Sequence, residues 1–320
     1  MAETAAAEAV PGLRGVALVK AAGGPARGVA QGTLGTDPDA LCTLDTRFQL
    51  ASVSKQFTAA ATLLLSDSGV LAVADPVSKW LDGCPPAWET ITLHHLLSHT
   101  SGIAHWPATG IDLTEPLDTA EELRIFQATP LLAVPGEKYS YSSPAYTMLA
   151  LVVERAAGQP YESFLRQRIF DPLGMSSTFA GSGHGEAHMA QGHEAGEAVK
   201  QFELDTVGMG AGDVWSTAGD MATWNEALAD GSILTEESRQ AMFSVQAPLE
   251  EESGPLRAFG YGYAWYLCEY AGHSMRMHTG DNAGFVAVNA WFVDLQLSLV
   301  VLSNDHTCDL MGIAAQLLDM

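Results

Sequence analysis

The segment SVSKQFTAAATLLLSDSG, residues 52 to 69, constrains the fold more than any other. Val53, Phe57, Ala60, Ala61 and Leu64 recur at helical spacing, and Gly69 is placed to end the helix. Leu63 and Leu65 extend the apolar surface round most of the remaining circumference. A helix that is apolar nearly all round has to be covered on every side, which predicts a position in the middle of the protein. Ser52 and Lys55 stand three positions apart at its head and share one helix face, so both point into the same interior space.

The covering elements are read from the rest of the chain. LRGVALVKA and ARGVAQGTL, joined by the turn-forming AGGP, predict a hairpin. Residues 75 to 245 are mostly helical and loop-rich. Within them SSPAYTMLALVVERAAGQP predicts a helix with Ser143 as N-cap, Pro144 at the first helical position and Gly158 just past the end. STAGDMATWNEALADG predicts another, Thr217 and Asp220 being spaced as a capping box. After residue 258 strands return as YGYAWYLCEY, HSMRMHTG, GFVAVNAWF and LSLVVLSN, and a short helix, CDLMGIAAQLLD, follows. The order strands, helices, strands predicts an α+β fold: an antiparallel sheet built from both chain ends and flanked by helices, with an inserted, mostly helical lobe. The expected boundaries are an N-terminal extension at 1–12, a domain at 13–304, and a C-terminal helix at 305–320 packing on the sheet. Within that domain, 13–74 and 255–320 are assigned to the sheet lobe and 75–254 to the helical lobe. A site is expected in the cleft between lobes.

Charge narrows the partners. With 38 acidic and 15 basic residues the net charge is −23, which repels nucleic acid phosphates and anionic membrane surfaces. No apolar run approaches the roughly 18–20 residues of a membrane span. The first residues, MAETAAAEAVPGLRG, lack a basic region followed by an apolar one, so a cytoplasmic location is expected. Cys42, Cys84, Cys268 and Cys308 are far apart and read as buried free thiols. His95 and His99 are four apart without a third ligand nearby, and His184, Glu186, His188 and His193 match no usual zinc spacing. No metal and no cofactor is therefore expected, the partner is a small molecule, and the oligomeric state is left open.

A serine hydroxyl attacks a carbonyl only when something takes its proton, and a lysine does so only when its surroundings lower its pKa. Lys55 on a central helix meets that condition. If Ser52 lies at the helix N-terminus, the positive end of the dipole favours its alkoxide and opposes added charge on Lys55.

Five stretches then resemble, in order, the motifs of the serine β-lactamase and penicillin-binding-protein superfamily, in particular the branch of class C β-lactamases, D-aminopeptidases and related esterases. They are FQLASVSKQFTAAATLLLSDSGVLAVADPVSKWL, LLSHTSGI, PGEKYSYSSPAYTMLA, GDVWSTAGDMATW, and MHTGDNAGF with LSLVVLSN, spanning about residues 13 to 304. The resemblance implies a β-lactamase/transpeptidase-like fold with Ser52 as the acylated nucleophile, Lys55 as proton acceptor and Tyr141 as a proton shuttle to the leaving group. It further implies an oxyanion hole from the backbone N–H groups of Ser52 and Asp281, and substrate binding by Ser143 and by a strand at His278, Thr279 and Gly280. Two positions depart from the pattern. Ser143 stands where the branch has asparagine, and His278 where Lys-Thr-Gly has lysine, which weakens the charge available to grip a substrate carboxylate.

The expected activity is that of a serine hydrolase acting through an acyl-enzyme on amides or esters of small substrates, as a D-aminoacyl peptidase or esterase. The alternatives are a β-lactamase, a biosynthetic acyltransferase using the same residues, and a non-catalytic binding protein of the same fold. Trp106, Trp215 and Trp265 are candidates for the pocket wall, with core packing as the alternative for each.

Overall fold

The computed structural model describes residues 9–112, 117–183, 186–194, 196–199 and 208–318. Eight strands form one antiparallel sheet: β1 (Gly15–Ala21), β2 (Ala26–Gln31), β3 (Ala247–Ser253), β4 (Leu256–Tyr261), β5 (Tyr266–Tyr270), β6 (His273–Asn282), β7 (Phe285–Phe292) and β8 (Leu297–Ser303). Their spatial order is β2-β1-β8-β7-β6-β5-β4-β3. The first strand closes against the last, with Gly15 opposite Ser303 and Ala21 opposite Leu297.

Every residue of β7, FVAVNAWF, is buried because the sheet is covered on both faces. Helix α5 (Leu310–Leu318) covers one face together with Val10 and Leu13. On the other lie α4 (Ala218–Asp230) and the head of α1 (Lys55–Asp67). Of the 13 residues of α1, ten are buried, and α3 (Ser143–Ala157) packs along it, so the helix occupies the centre that its composition requires. A buried polar network fixes the register of these layers. Asn225 Nδ2 donates to Asn289 Oδ1 at 2.7 Å, and Asn289 Nδ2 donates to Asn225 Oδ1 and to Gln56 Oε1, both at 2.9 Å. Sliding any of the three elements would break these bonds and strand further buried polar groups.

Val214–Ser216 pairs with Phe48–Gln49, and α4 lies on β1 and β8. The hairpin of β3 and β4 precedes the expected strands, and YGYAWYLCEY is divided, Tyr261 ending β4 and Tyr266 opening β5 after a left-handed Ala264 (φ +65°). The cause is local: β3 is an edge strand whose acidic side chains face solvent, so it carries almost no apolar alternation.

Strand β6 and the Ser52 turn approach closely at Gly280. A Cβ there would lie 2.1 Å from Leu50 O and 3.0 Å from Ala51 Cβ. Gly280→Ala is therefore expected to lower stability by about 1–3 kcal/mol in urea unfolding and to displace the turn that carries Ser52. An unchanged midpoint would contradict this packing.

Candidate active site

The chain enters the site from Phe48–Gln49. Leu50 N donates to Val214 O at 2.8 Å, and Val214 N donates to Ser54 Oγ at 3.0 Å, so the turn between them is tied at both ends to one neighbour. Ala51 is left-handed at φ +48°, a strained conformation for a residue with a Cβ, and it turns the chain into a 3₁₀ helix over Ala51–Ser54. Lys55 is then the first residue of α1, so the head of the expected helix is a tighter turn than an α-helix.

Lys55 is fully buried, and its Nζ donates to Ser52 Oγ at 2.9 Å and to Ala211 O at 2.7 Å. The amine lies 5.1 Å from the centre of the Tyr141 ring. Burial pushes the Lys55 pKa well below its ordinary value, opposed in part by the Asp213 carboxylate. Asp213 is raised by its own burial to about 7, against the pull of backbone donors at Gly210 and its own N–H and of the Lys55 charge. Both shifts favour the uncharged forms. Gly210 N donates to Asp213 Oδ1 at 2.9 Å, which braces the loop presenting Ala211 O.

Tyr141 precedes α3 and is half-buried, with the Ser52 and Ser143 side chains near its phenol. Burial holds its phenol well above the ordinary tyrosine value, so it stays protonated and able to donate. The N-cap of α3 is Ser142, not Ser143: Ser142 is extended (φ −144°, ψ 110°), and its Oγ accepts from Ala145 N at 3.2 Å. Two serines precede Pro144, and only the first has the extended backbone that a cap needs. Ser143 is left free of capping, with its side chain near the Tyr141 phenol.

Strand β6 supplies the opposite wall. Its partner β5 begins opposite Met277, so the edge of β6 from His278 onward is not covered by β5 and approaches the Ser52 turn through Gly280. His278 is 1% exposed, with Nε2 3.0 Å from Tyr261 Oη and Nδ1 2.6 Å from Thr279 O. Burial and the nearby Lys55 hold it at about 3. It therefore stands as a neutral ring behind Tyr141, 6.2 Å between ring centres, and offers no charge to a bound molecule. Thr279 is exposed and lines an adjoining cleft of about 480 Å³ with Tyr266, Met277, Leu256 and Glu251. The Asp281 side chain is 70% exposed, which leaves its backbone N–H as the group of interest. Asn282 Nδ2 donates to Gln49 Oε1 at 2.8 Å and to Gly212 O at 3.2 Å, locking this strand to the nucleophile segment.

Several expectations fall elsewhere. Trp215 and Trp265 are core residues, 2% and 1% exposed, and Trp106 is half-buried against Phe126. Cys42 and Cys268 are buried, with thiols pushed up to about 11 and about 12, whereas Cys84 and Cys308 are half-buried. His184 lies outside the described residues; of its companions, Glu186 pairs with Arg47 at 3.0 Å and His193 N donates to Asn304 O. The spacing of residues could not reveal Ala211 and Asp213, because they meet Lys55 only through the fold. His99 and His105, which approach Tyr141 to 4.4 and 5.4 Å between ring centres, are also absent from the expected site.

An antiparallel sheet with a Ser-x-x-Lys helix buried against it and helices inserted between its strands defines the penicillin-binding-protein class of fold. The chain belongs to the beta-lactamase family, whose model matches residues 4–314. Esterase EstB of Burkholderia gladioli is 33% identical over 313 residues, covering 82% of this chain and 78% of its own length. Penicillin-binding protein 4* of Bacillus subtilis is 27% identical over 283 residues, covering 80% of this chain; the chain spans 60% of that relative's length. Among solved structures, a penicillin-binding protein from Bacillus halodurans matches with a TM-score of 0.84, 25% identity and 96% of both chains covered. D-amino acid amidase from Ochrobactrum anthropi SV3 shares the fold at a TM-score of 0.84 and 21% identity, over 96% of this chain and 94% of that one. Among the described residues no helix is long and apolar enough to cross a membrane.

The depressed Lys55 pKa has a stability consequence. Between its folded value and about 10.4 the unfolded chain holds a proton that the folded chain does not, so folding is favoured as pH rises through that window. Lys55→Met keeps the stem and removes the titration. The stability difference between variant and wild type should therefore shift toward the variant as pH falls from about 10 to about 7, measured by urea unfolding at each pH. A constant difference would mean that Lys55 titrates normally in the fold.

Proposed function

We propose that the protein is a serine hydrolase that forms a covalent acyl-enzyme on Ser52 and acts on small esters or amides. The observation that carries this reading is the fully buried Lys55 amine 2.9 Å from Ser52 Oγ, its pKa held well below the ordinary lysine value by that burial. As Ser52 Oγ attacks the substrate carbonyl, the Lys55 lone pair takes the hydroxyl proton. Tyr141, beside Ser52 and kept in its phenol form, passes a proton to the departing oxygen or nitrogen and is reprotonated through Lys55. The backbone N–H groups of Ser52 and Asp281 receive the oxyanion, and Gly280 allows β6 close enough to the Ser52 turn for both to serve. Water then repeats the sequence on the acyl-enzyme, with Lys55 and Tyr141 again moving the proton.

Substrates without a carboxylate suit this site better than β-lactams or peptides ending in one. The position expected to hold a lysine carries His278, which is buried, engaged with Tyr261 and neutral. Ser143, beside Tyr141, does not replace the reach of a carboxamide. EstB, an esterase by name, is 33% identical and supports the same preference.

Intact-mass spectrometry after treatment with a fluorophosphonate tests the nucleophile: one adduct is expected on wild type and none on Ser52→Ala. Leaving-group dependence tests Tyr141. p-Nitrophenolate departs without a proton at neutral pH and ethoxide does not, so Tyr141→Phe should lower kcat/KM for ethyl butyrate about 10²–10⁴-fold and for p-nitrophenyl butyrate far less. Equal losses on both esters would remove Tyr141 from the proton path, and an adduct on Ser52→Ala would remove Ser52 as nucleophile.

A further inference from the structure

Three backbone N–H groups around Tyr141 end on two histidines. Ser140 N donates to the His99 carbonyl at 2.7 Å, and Ser142 N donates to His99 Nδ1 at 3.1 Å. Ser143 N donates to His105 Nδ1 at 3.2 Å. The Tyr141 ring lies between the two imidazoles, 4.4 Å from His99 at an interplanar angle of 42° and 5.4 Å from His105 at 85°.

An imidazole nitrogen that accepts from a backbone N–H carries no proton, so both rings are neutral with the hydrogen on Nε2. Their surroundings favour that state: burial, the main cause, holds His99 well below the usual histidine range and brings His105 to about 4.

Packing alone does not account for a histidine at position 99. Its ring is buried among Tyr141, Tyr146 and Tyr261, and its Nε2 has no hydrogen-bond partner there. Its backbone is left-handed at φ +57°. An unpaired buried N–H and a left-handed residue with a Cβ both cost stability. An apolar ring would fill the same box without the first of these. What the imidazole adds is Nδ1 as an acceptor aimed at the residue after Tyr141.

We propose that His99 and His105 are positioning residues for Tyr141: as neutral backbone acceptors they hold the 140–143 segment so that the Tyr141 hydroxyl stays on Ser52. This rests on the reading of Tyr141 as the proton donor to the leaving group. A displacement of about 1 Å at such a donor is enough to lose roughly 10²-fold in rate. The clamp acts on the backbone on both sides of the tyrosine, so the side chain has little freedom left except ring rotation.

Four variants separate the acceptor from the ring. Phenylalanine at 99 or 105 keeps a flat ring and removes the acceptor. Asparagine removes the ring, places Oδ1 near the position of Nδ1, and tolerates the left-handed backbone at 99. Each variant with a cooperative thermal transition is assayed on ethyl butyrate and on p-nitrophenyl butyrate, and labelled with a fluorophosphonate. His99→Phe and His105→Phe are expected to lose about 10–100-fold in kcat/KM on ethyl butyrate, and no more than about threefold on p-nitrophenyl butyrate, with Ser52 still labelled. His99→Asn and His105→Asn are expected to recover most of the loss on ethyl butyrate. If His99→Phe does not fold, the half-buried position 105 carries the test. Phe variants as active as wild type on ethyl butyrate would overturn the inference. So would Asn variants as impaired as the Phe ones, or equal losses on both esters. Wild type that acquires no label at Ser52 would overturn the hydrolase reading and this inference with it.

Discussion

Removing a primary amine from water costs several kcal/mol while it keeps its proton and much less once the proton is released. Lys55 is in that position, sealed beneath Ser52, Ala211 and the Tyr141 and Tyr146 rings, with only a partly neutralised Asp213 to favour its charge. The rest of the site follows from this one burial. The same desolvation keeps the Tyr141 phenol protonated and the His99, His105 and His278 imidazoles neutral. An amine, a phenol and three imidazoles are thus biased toward their uncharged forms by one shared buried environment.

The fold supplies that dryness. Both ends of the chain build the sheet, and α1 is enclosed between it and α3, so the head of α1 lies where no part of it is at a surface. The polar network of Gln56, Asn225 and Asn289 sets the depth at which α1 and α4 dock. The bare Cα of Gly280 lets β6 meet the Ser52 turn, and the strained Ala51 is held there by the contacts of Leu50 and Ser54 to Val214. Strain at that turn is sustained by neighbours on three elements, a common arrangement where a reactive group has to be presented in a fixed direction.

Much of this was legible in the sequence where periodicity or local chemistry carries the information. The apolar circumference of residues 52–68 places α1 at the centre, and the motif resemblance brings Ser52, Lys55 and Tyr141 together. Other features turn on choices that local sequence does not make. Ser142 and Ser143 are equal candidates for a cap before Pro144, and backbone conformation alone decides between them. Strand β3 hides in a run of glutamates because an edge strand faces water. His99 was weighed as a metal ligand with His95, yet its partners are the N–H groups of residues more than 40 positions away, an acceptor role that no spacing rule encodes.

The central claim is that Lys55 is uncharged in the folded protein, and NMR titration of the lysine side-chain nitrogens tests it most directly, with Lys55→Met identifying the signal. The chain has five lysines. The account predicts that the Lys55 signal titrates well below the ordinary lysine value of about 10.4, at a pH where the protein is still folded. A Lys55 signal that moves together with the others would contradict it, and the proton acceptor for Ser52 would have to be sought elsewhere.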